Sequence, residues 1–421
     1  MPSPDPGELP ADLVALTGAL ARGEVSAVEV VTQQLRRLRS VHDATNCVAA
    51  WNDDAPAAAA RLDRDRARHG PVGRMHGVPF TVKDWIDVAG LPCTGGFVEC
   101  RDRVPSHDAS VVARLRDEGA IVLAKTTVQV DSDLFGLVLH PLDPARTPGG
   151  SSSGEAAAVG GGGSLVGIGS DSGGSIRLPA AWCGAAGLKP SAGRVPTTGH
   201  FPRVGDRADG RTQIGPIASS VRDLVAVLDV IAGPDNRDAA VAPVALGDVT
   251  TVDITSLRVG YSLGDDPWAP TPVVRAAVEA SVARLAALGA TIAGAVPQDL
   301  DAALDITRRY WKRARGVSDN AEIEGQLRDW DRYRTKMLQA TRDVDVVVMP
   351  ATAGVAPEHR PTAETDYVYL LPASLTGAPA VVVPVTFAAS LPVAVQVVAR
   401  PWDDHVALAV AAMLERADRA G

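Results

Sequence analysis

Two short clusters of serine and glycine lie near the middle of the chain, at residues 149–154 (GGSSSG) and 171–175 (DSGGS). A serine hydroxyl can attack a carbonyl carbon once a neighbouring group takes its proton. Glycine permits tight turns and lets a ligand approach the backbone closely. The composition of the two clusters therefore predicts a site of nucleophilic catalysis.

Ser175 is the candidate nucleophile, because it closes the second cluster after a predicted strand. Successive N–H groups in such a turn can converge on one point and hold the oxyanion of a tetrahedral intermediate. A lysine can take the serine proton if burial keeps that lysine neutral. Lys83 is the favoured base, because it follows the apolar run at residues 78–82 and precedes Asp84. The other lysines are Lys125, Lys189, Lys312 and Lys336.

Three other interpretations of this region remain open and are less favoured. Residues 160–164 (GGGGS) have the composition of a flexible linker, but a helix-forming run precedes them and a strand-like run follows. A phosphate-binding loop would need GxxxxGK[ST], or GxGxxG at a clear strand-to-helix turn. Residues 150–154 formally match the GxSxG elbow of Ser-His-Asp hydrolases, but the run before them is too rich in proline for a strand. The later histidines, none in a compelling context, are His200, His359 and His405.

The composition limits the class of protein. The chain has 421 residues, a formal net charge of −9 and 46% hydrophobic residues, which is enough for one large α/β unit. The negative charge and the lack of a basic stripe disfavour a nucleic-acid partner. The cysteines have no metal-ligand spacing, and we expect reduced thiols, although Cys93 and Cys100 could in principle pair. All four are Cys47, Cys93, Cys100 and Cys183.

The uncharged stretch at residues 370–399 raises the question of a membrane helix. Four prolines interrupt it, and a spanning helix seldom tolerates so many. Valine-rich runs are typical of strands that are covered on both faces. We therefore predict buried strands at residues 380–385 and 393–399, joined by a short turn. With no secretion signal at the start of the chain, we expect a cytoplasmic protein without membrane contact.

The remaining pattern alternates between helix and strand. Residues 11–70 are predicted to be helical, with a capping box at Ser26 and Glu29. Beyond them, repeated βα units predict a single α/β domain with a central mixed, mostly parallel β-sheet flanked by helices. We divide the chain into a helical segment (1–70), a catalytic core (71–230), a helical part bordering the substrate (231–345), and strands with a helix that complete the sheet (346–421).

Several motifs resemble those of the amidase signature family, and they extend over nearly the whole chain. The match includes the strand before the favoured base and both serine-glycine clusters. The matching segments are residues 77–84 (GVPFTVKD), 149–155 (GGSSSGE), 169–177 (GSDSGGSIR), 187–190 (GLKP), 213–217 (QIGPI) and 391–396 (LPVAVQ), together with Pro179, Cys183 and Gly184. The resemblance implies the fold of that family over residues 1–421.

The resemblance also implies a Ser–Ser–Lys triad. Ser175 matches the nucleophile, and Lys83 matches the general base. Ser151 matches the bridging serine, which in the family usually follows a cis peptide bond. A hydroxyl both donates and accepts, so Ser151 can pass a proton from Ser175 to Lys83. The backbone N–H groups that match the oxyanion hole are those of Ser172, Gly173, Gly174 and Ser175. Asp171 and Arg177 match supporting positions that buttress this turn.

The implied activity is hydrolysis of a linear carboxylic amide to a carboxylate and ammonia or an amine, through an acyl-enzyme on Ser175. The resemblance implies no cofactor and no metal. We expect a small-molecule amide as the partner, with no nucleic acid and no membrane, and a homodimer is compatible with the sequence. The alternative is the glutamine-hydrolysing subunit of a tRNA-dependent amidotransferase, for which the chain is somewhat short.

The chain departs from the family pattern near the expected substrate. After the strand at residues 121–124, the family usually continues Gly-Lys-Thr-Asn with an acidic residue before Phe, whereas residues 124–135 here read AKTTVQVDSDLF. Ser172 also replaces a more usual Ile or Thr. We therefore expect specificity to depend on the loops at residues 127–135, 200–211 and 308–333, and the sequence does not identify the amide.

Overall fold

An eleven-stranded mixed sheet forms the centre of the protein. The computed structural model describes residues 10, 12–202, 210–264, 266–314, 316 and 318–415. The strands are β1 (Val48–Trp51), β2 (Pro79–Lys83), β3 (Ile121–Thr126), β4 (Asp131–Ser132), β5 (Gly136–Leu137), β6 (Val166–Asp171), β7 (Ala186–Lys189), β8 (Gln213–Ala218), β9 (Arg258–Tyr261), β10 (Thr291–Ala295), β11 (Val346–Pro350), β12 (Ala380–Ala388) and β13 (Leu391–Ala399). Strands β4 and β5 form a separate small hairpin, so they lie outside the main sheet.

The helices of the described residues follow the same alternation along the chain. They are α1 (Leu13–Arg22), α2 (Ala27–Thr45), α3 (Ala55–His69), α4 (Ser110–Asp117), α5 (Ser153–Gly160), α6 (Arg177–Cys183), α7 (Val221–Ile231), α8 (Pro272–Ala287), α9 (Leu300–Ala314), α10 (Asn320–Ala340), α11 (Leu371–Thr376) and α12 (Asp404–Leu414). The capping box at the start of α2 is present: the Ser26 N–H donates to Glu29 Oε2 at 2.8 Å, and the Glu29 N–H donates to Ser26 Oγ at 3.1 Å. The N-terminal region also contains β1, which the helical prediction missed because four residues are too few for a periodicity.

The single α/β domain with a mixed central sheet is confirmed. The strand order is β1-β3-β2-β6-β8-β7-β12-β13-β11-β9-β10. Four of its ten neighbouring pairs are parallel, and they form two blocks, β3-β2-β6 and β11-β9-β10. The middle of the sheet is antiparallel. Parallel pairing is thus confined to the two blocks. The middle of the sheet contains the hairpin of β12 and β13, and strands joined by a short turn pair antiparallel.

The C-terminal hairpin of β12 and β13 confirms the two strands predicted in the uncharged stretch. Val381 pairs with Val397 and Val383 with Val395, and all four side chains are buried. Within the described part of the chain, no helix has the length and apolar character needed to cross a bilayer. The hairpin lies in the central part of the sheet, with β12 next to β7.

Candidate active site

The Lys83 side chain joins the end of β2 to the first serine-glycine cluster. Its Nζ donates to Ser151 Oγ at 2.7 Å and lies 3.2 Å from Ser170 Oγ on β6. The peptide bond between Gly150 and Ser151 is cis, as the resemblance implies. Because β2 and β6 are parallel neighbours, both strands end at the same edge of the sheet, and this edge holds the amine against the bridging serine.

Burial makes the Lys83 amine easier to deprotonate. The side chain has no exposed surface, and desolvation lowers its pKa to about 7, against the opposing effect of the Asp171 and Glu155 carboxylates. A substantial neutral fraction is therefore present near pH 7. A neutral amine beside a hydroxyl is the state that a general base requires.

The second cluster lies directly against the first. The Ser152 N–H donates to the Ser175 carbonyl oxygen at 3.1 Å. Ser175 and Ser151 are half-buried, whereas Lys83 is enclosed. The structure therefore brings all three predicted triad residues to one place, with both serine positions accessible from outside and the lysine behind them.

Asp171 fixes the turn that carries Ser175. Its Oδ1 accepts the Gly174 N–H at 2.6 Å, so this N–H, one of the predicted oxyanion donors, is already engaged. Gly174 has a φ of 127°, and a Cβ there would lie 2.5 Å from Leu370 Cδ1. Among the described residues, no acceptor takes the N–H groups of Ser172, Gly173 and Ser175, which leaves these three predicted groups as candidate donors to an oxyanion.

A buried ion pair supports the turn from behind. Arg177 Nε and Nη2 donate to the two carboxylate oxygens of Asp171 at 2.9 and 3.0 Å, and neither side chain is exposed. Arg177 also donates to the Leu370 carbonyl, to Gln396 Oε1 and to Ser374 Oγ at 2.6–2.8 Å. Burial alone would raise the pKa of Asp171, but the Arg177 charge and hydrogen bonds hold it below its usual value. Through Arg177, these contacts connect the turn to β13 and α11.

The other lysines have different environments. Lys125 is buried on β3, and its Nζ forms an ion pair with Asp84 Oδ1 at 3.3 Å. Lys189 is buried too, and it donates to the Pro190 carbonyl at 2.8 Å; desolvation lowers its pKa to about 7. Lys312 and Lys336 are partly exposed and pair with acidic residues. Lys83 differs from these four in that its amine donates to a serine of the first cluster.

Aromatic side chains border the turn on its outer side. Trp311 on α9 and Tyr367 pack edge to face with ring centres 5.8 Å apart, and the Tyr367 hydroxyl donates to the Gly150 carbonyl at 2.9 Å. A Cβ on Gly173 would lie 3.0 Å from Trp311. The sequence indicated the α9 region as a border of the substrate, but Tyr367 lies in a segment without a motif, and no sequence signal pointed to it.

Of the loops expected to determine specificity, residues 127–135 are described in full and residues 200–211 only in part. The loop at residues 127–135 contacts the site, because the Gln129 N–H donates to the Ser151 carbonyl at 2.9 Å. In the loop at residues 200–211, residues 203–209 lie outside the described part of the chain. The end of that loop, Arg211, contacts the turn at residues 171–175 by donating to the Ser172 carbonyl.

Glu155 is a buried acidic residue to which the sequence analysis assigned no role. It lies on α5, and its carboxylate accepts hydrogen bonds from Thr81 Oγ1 at 2.6 Å and Thr126 Oγ1 at 2.9 Å. Desolvation raises its pKa to about 7, against those hydrogen bonds and the charges of Lys125 and Lys83. Glu155 is therefore a second buried ionisable group whose charge interacts with that of Lys83.

Comparisons with known proteins agree on the family. The model of the Amidase family matches residues 29–323 and 312–408. A component of the glutamyl-tRNA(Gln) amidotransferase of Chloroflexus aurantiacus is 32% identical, and the alignment covers 96% of both chains. A solved peptide amidase in complex with chymostatin has a TM-score of 0.80 and 26% identity over 96% of both chains. A complex that reveals the evolutionary origins of an s-triazine catabolic enzyme has a TM-score of 0.87 and 26% identity over 96% of this chain and 98% of that one.

One expectation from the sequence is wrong in the light of these relatives. We expected a small-molecule partner and no nucleic acid, whereas curated relatives from Chloroflexus and Synechococcus are components of an amidotransferase named for glutamyl-tRNA. The expectation used the net charge of the whole chain and the lack of a basic stripe. Neither feature shows which assembly a chain joins.

Proposed function

Because the chain belongs to the amidase family, we propose that it hydrolyses a carboxamide C–N bond through an acyl-enzyme on Ser175. Lys83 is the general base and Ser151 the relay in this proposal. The observation that carries it is the 2.7 Å hydrogen bond between Lys83 Nζ and Ser151 Oγ, made by an amine whose pKa is lowered to about 7. A lysine at its ordinary pKa would be protonated and could not accept the proton.

The first half of the reaction forms the acyl-enzyme. Ser151 passes its proton to neutral Lys83 and accepts the proton of Ser175, whose oxygen attacks the amide carbon. The Gly173 and Ser175 N–H groups hold the oxyanion of the tetrahedral intermediate. The proton then returns from Lys83 through Ser151 to the amide nitrogen, the C–N bond breaks, and ammonia or an amine leaves.

The second half restores the enzyme. A water molecule gives its proton to the same relay and attacks the ester carbon of the acyl-enzyme. The bond between that carbon and Ser175 Oγ breaks, and Ser175 regains its proton from Ser151. The products of the cycle are one carboxylic acid and one ammonia or amine for each amide and water consumed.

For the amide itself, we propose the side-chain amide of glutamine, hydrolysed within a tRNA-dependent amidotransferase. The support is the 32% identity to the Chloroflexus component of such an enzyme over 96% of both chains. A free-standing amidase is the second candidate. Residues 124–135 favour it, because they depart from the usual family pattern next to Ser151, and the solved peptide amidase has the same fold.

The test of the chemistry is ammonia or amine release by the purified protein and by Ser175→Ala. We expect the variant to lose all activity and to form no covalent adduct. Ser153→Ala is the matched control, since this neighbouring hydroxyl donates to the Gln129 carbonyl rather than to the base. Full activity in Ser175→Ala would refute the acyl-enzyme.

The test of the substrate compares glutamine with a panel of aliphatic, aryl and peptide amides. Each is assayed with the chain alone, and then with the other components of the amidotransferase and glutamyl-tRNA. Glutamine hydrolysis that depends on those components supports the first candidate. Efficient release from another amide by the isolated chain supports the second.

A further inference from the structure

Arg211 is a buried arginine that connects the nucleophile turn to α9. Its side chain is 1% exposed. Its Nε donates to the Ser172 carbonyl, and its Nη2 donates to Thr307 Oγ1 at 2.8 Å. The guanidinium also lies over the ring of Tyr310, 4.6 Å from its centre. Thr307 and Tyr310, both on α9, therefore hold the guanidinium in place, and its Nε contacts the turn.

The contact to Ser172 determines the direction of a neighbouring donor. The Ser172 carbonyl and the Gly173 N–H belong to one peptide unit, and in a trans peptide these two groups point in opposite directions. An arginine that holds the carbonyl on one side therefore aims the N–H toward the other. A charged donor on a carbonyl also polarises the peptide, which strengthens the hydrogen bond that its N–H can make.

The turn is thus held at two successive peptides by two different residues. Asp171 Oδ1 accepts the Gly174 N–H, and Arg211 donates to the Ser172 carbonyl. Gly173 lies between them with little space, since a Cβ there would come within 3.0 Å of Trp311 and 3.5 Å of Arg211 Nη2. These contacts leave the Ser172–Gly173 peptide with little rotational freedom.

We propose that Arg211 is a positioning residue that aims and polarises the Gly173 N–H, so that this group stabilises the oxyanion formed after attack by Ser175. The proposal rests on the function proposed above. Arg211 acts through the backbone of the turn and contacts no reacting atom. Its removal lowers the rate of steps that build negative charge on the substrate oxygen and leaves ground-state binding unchanged.

The probe is an alkyl fluorophosphonate, which needs no knowledge of the natural amide. Ser175 gives its proton through Ser151 to Lys83, its oxygen attacks phosphorus, and the P–F bond breaks with release of fluoride. The phosphoryl oxygen occupies the oxyanion site in the transition state. We expect Arg211→Met to lower the maximal inactivation rate by about 10- to 100-fold. This decrease is no larger than the decrease in rate expected on removal of one direct oxyanion donor. The half-saturating probe concentration stays within about twofold of the wild-type value, and methylguanidine restores part of the rate in Arg211→Ala.

Arg39→Met is the control, because Arg39 likewise lies over an aromatic ring, 4.7 Å from the centre of Trp51, but belongs to α2, outside the segments expected to border the substrate. It should inactivate at the wild-type rate. If Arg211→Met does not fold, Thr307→Val removes the bond to Nη2 and keeps the arginine, and we expect a smaller loss of the same kind.

Two results would overturn the inference. One is a raised half-saturating concentration at an unchanged maximal rate, which would make Arg211 part of the binding pocket. The other is an Arg211→Met protein that reacts like the wild type. If the wild-type protein itself forms no adduct on Ser175, the proposed function fails instead, so the two failures are distinguishable.

Discussion

The Nζ atom of Lys83 lies 4.2 Å from the ring centre of Trp85. The ring is held in place, because its Nε1–H donates to the Gly95 carbonyl at 3.1 Å and its edge packs on His200. An aromatic face attracts a cation. Trp85 therefore favours the protonated form of Lys83, while burial favours the neutral form.

Replacing Trp85 should shift the pH profile of the enzyme. Because Lys83 is fully buried, loss of a cation–π contact of about 1–2 kcal/mol corresponds to a fall of roughly one pKa unit in Lys83. In Trp85→Leu, the acid limb of kcat/KM should move to lower pH by that amount, and Trp85→Phe should move it less. A shift toward higher pH would contradict the assigned interaction.

The pH dependence of the wild-type enzyme should follow Lys83. With the pKa of this amine lowered to about 7 by burial, the neutral base accumulates as the pH rises through that value. We expect kcat/KM to rise across this range and then level off. Lys83→Met should lose about 10²- to 10⁴-fold in kcat, and a histidine variant with an equal loss would refute the assignment.

Lys125 provides a matched control for Lys83 on the neighbouring strand. Both lysines are fully buried, but Lys125 pairs with Asp84. Lys125→Met leaves that carboxylate without its counter-ion, so we expect a loss of about 3–5 kcal/mol in the free energy of unfolding. Urea denaturation of the two variants should show a larger loss of stability for Lys125→Met, while the assay shows the larger loss of turnover for Lys83→Met in the folded protein.

The Asp171–Arg177 pair should matter for stability as well as for activity. Neither side chain is exposed, and removal of one partner leaves a buried charge, which costs about 3–5 kcal/mol. We expect this loss in urea denaturation of Arg177→Met. Arg308→Met, which breaks a half-exposed pair with Glu364, should change the stability far less, and similar losses in the two variants would contradict the argument.

Glu155 should make the protein less stable as the pH rises. Burial raises its pKa from 4.5 to about 7, so between these values the native state keeps a proton that the unfolded state has released. The free energy of unfolding therefore falls by about 3 kcal/mol as the pH rises across this window.

Glu155→Gln removes this titration while a side-chain amide can still contact Thr81 and Thr126. The difference in unfolding free energy between wild type and variant, measured in urea from pH 4.5 to 8, should grow in favour of the variant as the pH rises. A difference that is independent of pH would show that Glu155 has an ordinary pKa. The pKa of Lys83, which is lowered from 10.5 to about 7, affects the stability chiefly above pH 7, and the part that wild type and variant share cancels in this difference.

The sequence predicted those parts of the protein in which particular residue types recur at a characteristic spacing. The serine-glycine clusters and the strand ending at Lys83 could be found without coordinates, and so could the buried hairpin of β12 and β13. Short elements such as β1 carry too few residues for a periodicity. The antiparallel middle of the sheet depends on which distant strands pair, and local patterns do not contain that information.

The supporting contacts of the site were harder to predict for a related reason. Three residues reach the site through contacts between segments distant in sequence. Arg211 and Tyr367 lie outside the family motifs, and Glu155 lies at the end of the motif at residues 149–155. Trp85 follows Lys83 by two residues, yet its ring contacts that amine only because Gly95 holds the indole. Such residues are identified by distance, which one sequence does not give.

The hydrogen bonds of Arg177 have a consequence for how the protein matures during synthesis. Lys83, Ser151 and Ser175 all leave the ribosome in the first half of the chain, but Arg177 needs the Leu370 carbonyl, Ser374 and Gln396. A nascent chain that already contains all three proposed triad residues therefore still lacks the partners that fix the turn at residues 171–175. The contacts that hold this turn can form only after residue 396 has been synthesised, more than 200 residues after Ser175.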